Sequence, residues 1–471
     1  MRKVLLAAAA VLATACSLAP RYERPAAPVA PAFPSAPAPA PAGATAASDL
    51  GWRDVFGDPR LQALVALALE NNRDLRVAAL NVQLTQAQYR IQRAELLPQV
   101  EANGSFTRQR TPTALSASGA PVTSSVWNVG GAASFELDLF GRVRSLSSAA
   151  LEQFFATEEA RRSAHLSLVA GVATQYLATR AFDDQVALAR STLEAVEASY
   201  KLTQRGWEAG RTAELDLRTA ETQVETARFN LAAAEQQRDQ AANALVLLVG
   251  APLPENLPAP MPLDAQPIVA ELPPGVPSEV LQRRPDVLAA EHALRSANAS
   301  IGAARAAFFP TISLTAAAGT ASGELSGLFG NNTGSWIFAP RITLPIFTGG
   351  ALRASLDVAE VRRSIEVAQY ERAIQSAFRD VADALVSRAS LDEQLRAESA
   401  RVKAEQRRYD LSNLRYRGGI DSYLTVLTAQ RDLFAAQQQL IQTRLSRLTN
   451  LVDLYKALGG GWRERTAVAG N

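Results

Sequence analysis

The sequence has a single cysteine, Cys16, two histidines, His165 and His292, and two methionines, Met1 and Met261. That scarcity excludes a disulfide framework and a multi-cysteine zinc or iron–sulfur site. It leaves little for histidine-based catalysis, although carboxylate chemistry stays open. Met261 alone offers no methionine relay for soft metals. An excess of one charge is missing too, since 48 basic and 46 acidic residues give a net charge of +2. Neither a nucleic-acid partner nor a polybasic membrane surface follows from that balance. Past the amino terminus no apolar run reaches the ~18 residues of a transmembrane helix. Phosphate-binding glycine loops and nucleophile elbows are absent as well. What remains is a chain of 471 residues with 48% hydrophobic and 20% charged residues, ample material for a core.

The amino terminus is the first positive feature. Arg2 and Lys3 precede the apolar run Val4–Ala15, the profile of a secretory signal peptide over 1–15. The run ends in Leu12-Ala13-Thr14-Ala15-Cys16, which resembles a bacterial lipoprotein signal with Cys16 as the acylated first residue of the mature chain. Ser17, not Asp, follows the cysteine, which in that resemblance implies sorting to the outer membrane. Several acyl chains form a stable anchor, at about 0.8 kcal/mol per buried CH₂. Residues 16–50 hold prolines from Pro20 to Pro41 interleaved with alanine. Such a segment is expected to run extended as a tether, partly as polyproline II.

Internal repetition organises the rest. Asp74, Arg93 and Pro98 match Asp286, Arg305 and Pro310 at one constant spacing. Trp127 then matches Trp336, Tyr200 matches Tyr409, Gly210 matches Gly419 and Ala220 matches Ala429, at a slightly shorter one. Repeat 1 is read as 51–251 and repeat 2 as 278–471, joined by a Pro-rich connector over 252–277. Each repeat contains a β-hairpin, at about 99–140 and 311–347, and long helices, at about 142–249 and 351–458.

All 25 prolines fall outside 122–251 and 346–471, so those blocks suit long helices. Val186, Ala189, Leu193, Val196 and Tyr200 step by three and four, as do Ile441, Leu445, Leu448, Val452 and Tyr455. These are coiled-coil seams. A helix from Arg142 to about Arg205 would be roughly 95 Å long. The hairpins alternate instead. Trp127, Val129, Gly131, Ala133, Phe135, Leu137 and Leu139 oppose Asn128, Gly130, Ala132, Ser134, Glu136 and Asp138. Trp336, Phe338, Pro340, Ile342, Leu344 and Ile346 mark the apolar side of the second copy. Strands of about 10 residues with one apolar face match outer-membrane barrel strands. Pro340 and Pro345 imply an edge or a bulge. Four strands enclose no channel, and unpaired edges in lipid are prohibitively costly, so the barrel must be shared between several copies.

Taken together these motifs resemble the outer-membrane factors of tripartite efflux pumps, of the TolC and OprM kind, in the lipoprotein branch. The resemblance rests on Arg283-Arg284-Pro285-Asp286-Val287, on Ala290-Glu291, and on Arg305-Ala306 with Phe308-Phe309-Pro310. It also rests on Arg415-Tyr416-Arg417-Gly418-Gly419, Ala429-Gln430-Arg431, Leu248-Val249-Gly250-Ala251-Pro252, and the start Cys16 to Tyr22. The fold it implies is a mixed α+β membrane protein. Four strands per protomer form a trimeric 12-stranded β-barrel, continued by a coiled-coil α-helical barrel across the periplasm. It further implies a passive exit duct for drugs or other small solutes, with no enzyme activity and no cofactor. The implied partners are a homotrimer, a periplasmic adaptor, and an inner-membrane transporter of the resistance-nodulation-division type. A type I secretion duct shares the fold, and a structural periplasmic lipoprotein without a pore is a further alternative.

The glycines Gly206, Gly210, Gly418 and Gly419 break the long helices, and glycine at a helix end supplies the left-handed cap that turns the chain back. In the resemblance these turns form the periplasmic tip, where Tyr416 belongs to the closed-state network. Thr425 and Thr428 occupy positions where acidic residues often line the constriction, so negative charge there would come from Asp421 and Asp216. The plainer role for Asp421 is capping the next helix. Asp74 and Asp286 read as helix-start residues, His165 and His292 as structural, and Glu136 and Asp138 as lining the lumen.

Overall fold

The computed structural model describes residues 18–33, 47–269 and 283–466. The signal peptide, Cys16, part of the tether and part of the connector lie outside them. The chain forms two compact units, one from Met1–Ala26, Asn81–Glu158 and Ala289–Glu371, the other from Ala27–Leu80, Glu159–Leu288 and Arg372–Asn471.

In chain order the main elements are α1 (Pro59–Asn71), α2 (Arg73–Ala94), β1 (Gln99–Thr111), β2 (Val122–Leu137), α3 (Arg142–Glu208) and α4 (Glu214–Val249). Then follow α5 (Pro285–Ala306), β3 (Thr311–Ser322), β4 (Gly334–Thr343), α6 (Ala351–Arg417) and α7 (Tyr423–Ala457). Both α3 and α6 run for 67 residues. No helix among the described residues is long and apolar enough to cross a membrane.

The first unit contains a single four-stranded antiparallel sheet in the order β1-β2-β3-β4. Phe106 lies opposite Trp127, Val129 opposite Thr320, and Ala316 opposite Phe338. Because side chains alternate with period two, these registers carry one face unbroken across all four strands. That face holds Val100 and Phe106 on β1, Trp127, Phe135 and Leu137 on β2, Ile312 and Leu314 on β3, and Trp336, Phe338 and Ile342 on β4. Its reverse holds Glu101, Asn103, Asn128, Glu136, Ser313, Thr315 and Arg341. Trp336 is 81% exposed and Ile342 68%, so these side chains have no cover among the described residues. β2 and β3 close the seam between the repeats. Gly130 faces Gly319 there, and a Cβ on Gly319 would stand 2.3 Å from the Val129 carbonyl oxygen. Pro340 sits on β4, an edge strand of this sheet, where its missing N–H is tolerated.

One expectation needs correction. β2 ends at Leu137, and Asp138 does not line a strand face. Its carboxylate accepts the backbone N–H groups of Val143 (3.2 Å) and Arg144 (2.9 Å) at the start of α3, satisfying donors that a helix end leaves free. Glu136 does lie on the polar face, but Arg142 binds it in bidentate fashion at 2.9 and 2.7 Å.

The described part of the tether that belongs to this unit is held by side chains of α5. The Tyr22 hydroxyl donates to Glu291 at 3.1 Å, and Arg24 grips the same carboxylate at 3.0 and 2.8 Å. Arg295 adds a bond at 2.7 Å to Glu291 and lies 5.0 Å over the Tyr22 ring. Burial pushes the Glu291 carboxyl upward, but the Arg24 and Arg295 guanidinium groups outweigh it and hold the pKa below its ordinary value. Burial and the Glu291 charge push the Tyr22 phenol up to about 12.

The second unit buries an ordinary core, while Leu215, Phe229, Leu247 and Leu424 on its helices stay exposed. Trp52, Phe56, Leu61, Leu64, Tyr176, Val249, Val452 and Tyr455 form its largest core. Asp58 starts α1, with its carboxylate accepting from Arg60 N–H at 2.8 Å and Pro59 at the first helical position. Its other oxygen takes the Tyr176 hydroxyl at 2.7 Å and the Gln266 amide at 3.0 Å, so one residue caps a helix and fastens the connector. Arg284, almost fully buried, binds Asp286 at 3.0 and 2.6 Å and donates to the Ala457 carbonyl at 2.9 Å. Asp286 is thus a helix-start residue held by its neighbour. Along α3 and α7 the seam residues Val186, Ala189, Val196, Ile441, Leu448 and Val452 are buried.

Candidate functional site

The α3–α4 and α6–α7 turns both lie in the second unit. Gly210 follows α3 with φ +70°, and Gly419 follows α6 with φ +69°. In the first turn the Arg211 N–H donates to the Gly206 carbonyl at 2.8 Å and the Gly210 N–H to the Trp207 carbonyl at 2.9 Å. The second turn repeats the pattern, Ile420 to Arg415 at 3.0 Å and Gly419 to Tyr416 at 2.9 Å. This is the Schellman pairing, which needs a left-handed residue after the helix. Only Gly210 and Gly419 fill that role. Gly206 lies inside α3, where a Cβ would meet the Thr212 hydroxyl at 2.4 Å. Gly418 precedes the left-handed residue.

Tyr416 packs against Tyr423, with ring centroids 5.3 Å apart. Ala220, Tyr423, Val426 and Leu427 form a buried cluster, and Tyr200, Tyr409 and Tyr416 pack on it. The Tyr423 hydroxyl shares a hydrogen bond of 2.9 Å with the Ser199 hydroxyl of α3. Burial, and then the Asp216 carboxylate, push the Tyr416 phenol above its ordinary pKa. Of two residues chosen from the sequence, Tyr416 therefore feels the Asp216 carboxylate across the two hairpins.

Asp421 has a different setting. Its carboxylate is gripped by Arg415 at 2.7 and 3.0 Å across the turn, and that pairing holds its pKa below the ordinary carboxylate value. It does not cap α7. Ser422 occupies the N-cap position, and its hydroxyl lies 3.4 Å from that of Thr425 without bonding the helix N–H groups. Thr428 donates its hydroxyl to the Leu424 carbonyl at 2.9 Å. The carboxylate of Asp421 is matched by a guanidinium of its own chain, and the hydroxyls of Thr425 and Thr428 make local contacts.

Near the turns, Arg408 of α6 pairs with Asp432 of α7, and Arg228 of α4 with Glu197 of α3 at 3.1 Å. Tyr423, Ser199 and the Arg415 partnership were not singled out from the sequence. One signal was available: Tyr200 and Tyr409 occupy matching repeat positions, and the structure brings both onto one cluster. Both histidines lie in helices. Burial lowers the His165 pKa, while His292 meets Glu152 at 2.6 Å. No cluster able to hold a metal ion occurs among the described residues. Cys16 lies outside them.

Comparison with known proteins places these features in a family. The family model described as outer membrane efflux protein matches residues 64–251 and 276–460. The toluene efflux pump outer membrane protein TtgC of Pseudomonas putida is 50% identical over 467 residues, covering 98% of this chain and 96% of the relative. The antibiotic efflux pump outer membrane protein ArpC, also of Pseudomonas putida, matches with the same identity and coverage. Among solved structures, the open state of the Neisseria gonorrhoeae MtrE outer membrane channel superposes with a TM-score of 0.87 at 46% identity. That match covers 96% of this chain and 100% of the other.

Proposed function

The chain belongs to the outer membrane efflux protein family, and from that premise we propose that it is the exit duct of a tripartite pump. Three copies close a 12-stranded barrel in the outer membrane, and their helices form a tube that meets a periplasmic adaptor at the turns. The observation that carries this reading is the sheet itself. Its edges, β1 and β4, have no partner among the described residues, one face is apolar and exposed, and the other is polar. In lipid such edges demand closure, and only further copies of the same sheet supply it without a second gene product. Helix α2, which buries no residue, exposes Val77, Leu80, Leu84 and Ile91 at helical spacing, a stripe suited to packing on a neighbouring protomer.

The conduit is passive and performs no chemistry of its own. Solutes are supplied by the adaptor and an inner-membrane transporter of the resistance-nodulation-division type. They include the classes for which the relatives are named, antibiotics and the aromatic solvent toluene. Cys16 carries the acyl chains that fasten each protomer to the membrane. Native mass spectrometry of the detergent-purified chain, followed by conductance in planar bilayers, tests the reading. A trimer of diacylated or triacylated chains with discrete channel openings is expected. A monomer, or a trimer that never conducts, would contradict it.

A further inference from the structure

The outer half of the β1–β2 hairpin combines features that the conduit does not use. From Ala102 to Phe135 the sequence has no acidic residue, and its only charges are Arg108 and Arg110. The register places both on the apolar face, opposite Ser125 and Thr123, immediately beyond Phe106 and Trp127. Those two rings pack with centroids 4.3 Å apart and planes tilted by 31°, as in the aromatic girdle at a membrane–water boundary. Both arginines are exposed, and neither has an ion pair or side-chain hydrogen bond among the described residues. The other arginine within the sheet, Arg341, lies on the polar face opposite Ser313. A cation on a lipid-facing side is costly at mid-bilayer and nearly free at the interface, so the position just past the rings is where guanidinium groups belong.

We propose that Arg108 and Arg110 form a binding site for the phosphate groups of an outer-leaflet lipid. The inference rests on the reading of this face as lipid-exposed. Two residues apart on one strand, the arginines are spaced by about 6.8 Å, which lets two guanidinium forks engage separate phosphates of one headgroup or of neighbours. Guanidinium matches phosphate with paired, charge-assisted hydrogen bonds, and the hydroxyls of Thr123 and Ser125 add donors on the adjacent strand. The long arginine stems lie along the apolar surface while the charged ends reach the headgroup layer. The occupant is an anionic lipid carrying phosphomonoesters, of the lipid A class. Residues 102–135 hold no carboxylate that would require a bridging divalent cation.

The test uses full-length protein in phosphatidylcholine nanodiscs doped with bis-phosphorylated lipid A, with bound lipid counted by native mass spectrometry. The wild type is expected to retain lipid A, and R108Q/R110Q to bind it on the order of tenfold more weakly. R341Q, on the opposite face, is expected to match the wild type. Dephosphorylated lipid A should bind the wild type as weakly as the bis-phosphorylated form binds the double variant, a comparison that does not depend on any variant folding. Equal retention by wild type and R108Q/R110Q, or indifference to the phosphates, would overturn the proposal. Full displacement by millimolar inorganic phosphate would overturn it too, by showing a site for the free anion. Conductance of the same samples separates the two readings. A conducting trimer without lipid preference removes only the lipid site, whereas a non-conducting one removes the conduit.

Discussion

Leu61 and Phe56 in the second unit are shielded completely from solvent, whereas Trp336 and Ile342 in the first leave most of their surface open. The same residue types serve opposite arrangements. Around Trp52, Tyr176 and Tyr455 the apolar groups face one another, and both oxygens of the buried Asp58 are used in hydrogen bonds. In the sheet the apolar groups face outward, and the acidic and amide groups share the reverse side. The hydrophobic effect stabilises the first by the protein's own packing. The second reaches the same end only when lipid supplies the apolar surroundings. Stability in this molecule thus has two solvents.

The comparison is broken most severely at the sheet's seam. Gly319→Val places a Cβ within 2.3 Å of the Val129 carbonyl, and the β2–β3 pairing should fail. The expected outcome is loss of assembled protein from outer-membrane fractions, checked by heat-modifiable migration, while circular dichroism still reports helix. Next in size is the ordinary core. Leu61→Ala should cost about 2–5 kcal/mol, read as a lower denaturation midpoint of the helical signal with strand assembly intact. A normal midpoint would mean that the Leu61 cluster does not hold this unit together.

Adjacent residues on β3 sharpen the point further. Ala316 lies on the apolar face opposite Phe338, and Ala317 on the polar face opposite Ile337. Ala316→Arg should destabilise the membrane-inserted state by about 2–4 kcal/mol, and Ala317→Arg by under about 1 kcal/mol. Equal costs in a lipid-vesicle unfolding titration would erase the distinction between the faces. The smallest effect is expected at the turn. Arg415→Gln should speed amide exchange across Gly418–Tyr423 without moving the global unfolding midpoint. Because the Asp421 pKa is depressed in the folded state, the Arg415 pairing is complete at neutral pH. It is lost only as pH falls through the depressed folded-state value, below the ordinary carboxylate value of about 3.9. Loss of protection, relative to the intrinsic exchange rate at each pH, in the wild type but not in Arg415→Gln on such acidification is the matching signature.

Much of this arrangement was legible in the residues. Proline exclusion and the three-and-four spacing of Val186 to Tyr200 announced the long helices, and period-two alternation in Trp127–Leu137 announced the outward face. Alternation survives in a sequence because a strand's two sides are fixed by geometry. The end of β2 was misplaced because Asp138 continues the alternating pattern by chance, while its role depends on a helix that starts four residues later. The turn glycines were recognisable as a group. Which of them is left-handed depends on the helix end, and Gly210 and Gly419 share it only through the repeat. The Arg415–Asp421 pair and the Ser199–Tyr423 bond were hidden, since both are made by chain reversal or by contact between distant helices. The grip of Arg24 on Glu291 was hidden for the same reason: the two residues are 267 apart.

The core around Trp52 hides its aromatic groups in protein, whereas the sheet offers Trp336 and Phe338 to lipid. Single-tryptophan forms of the chain, retaining either Trp336 or Trp52, can be reconstituted in vesicles whose acyl chains carry bromine, a contact quencher of indole fluorescence. The account predicts strong quenching of Trp336 and none of Trp52. Unquenched Trp336, or equal quenching of both, would contradict it.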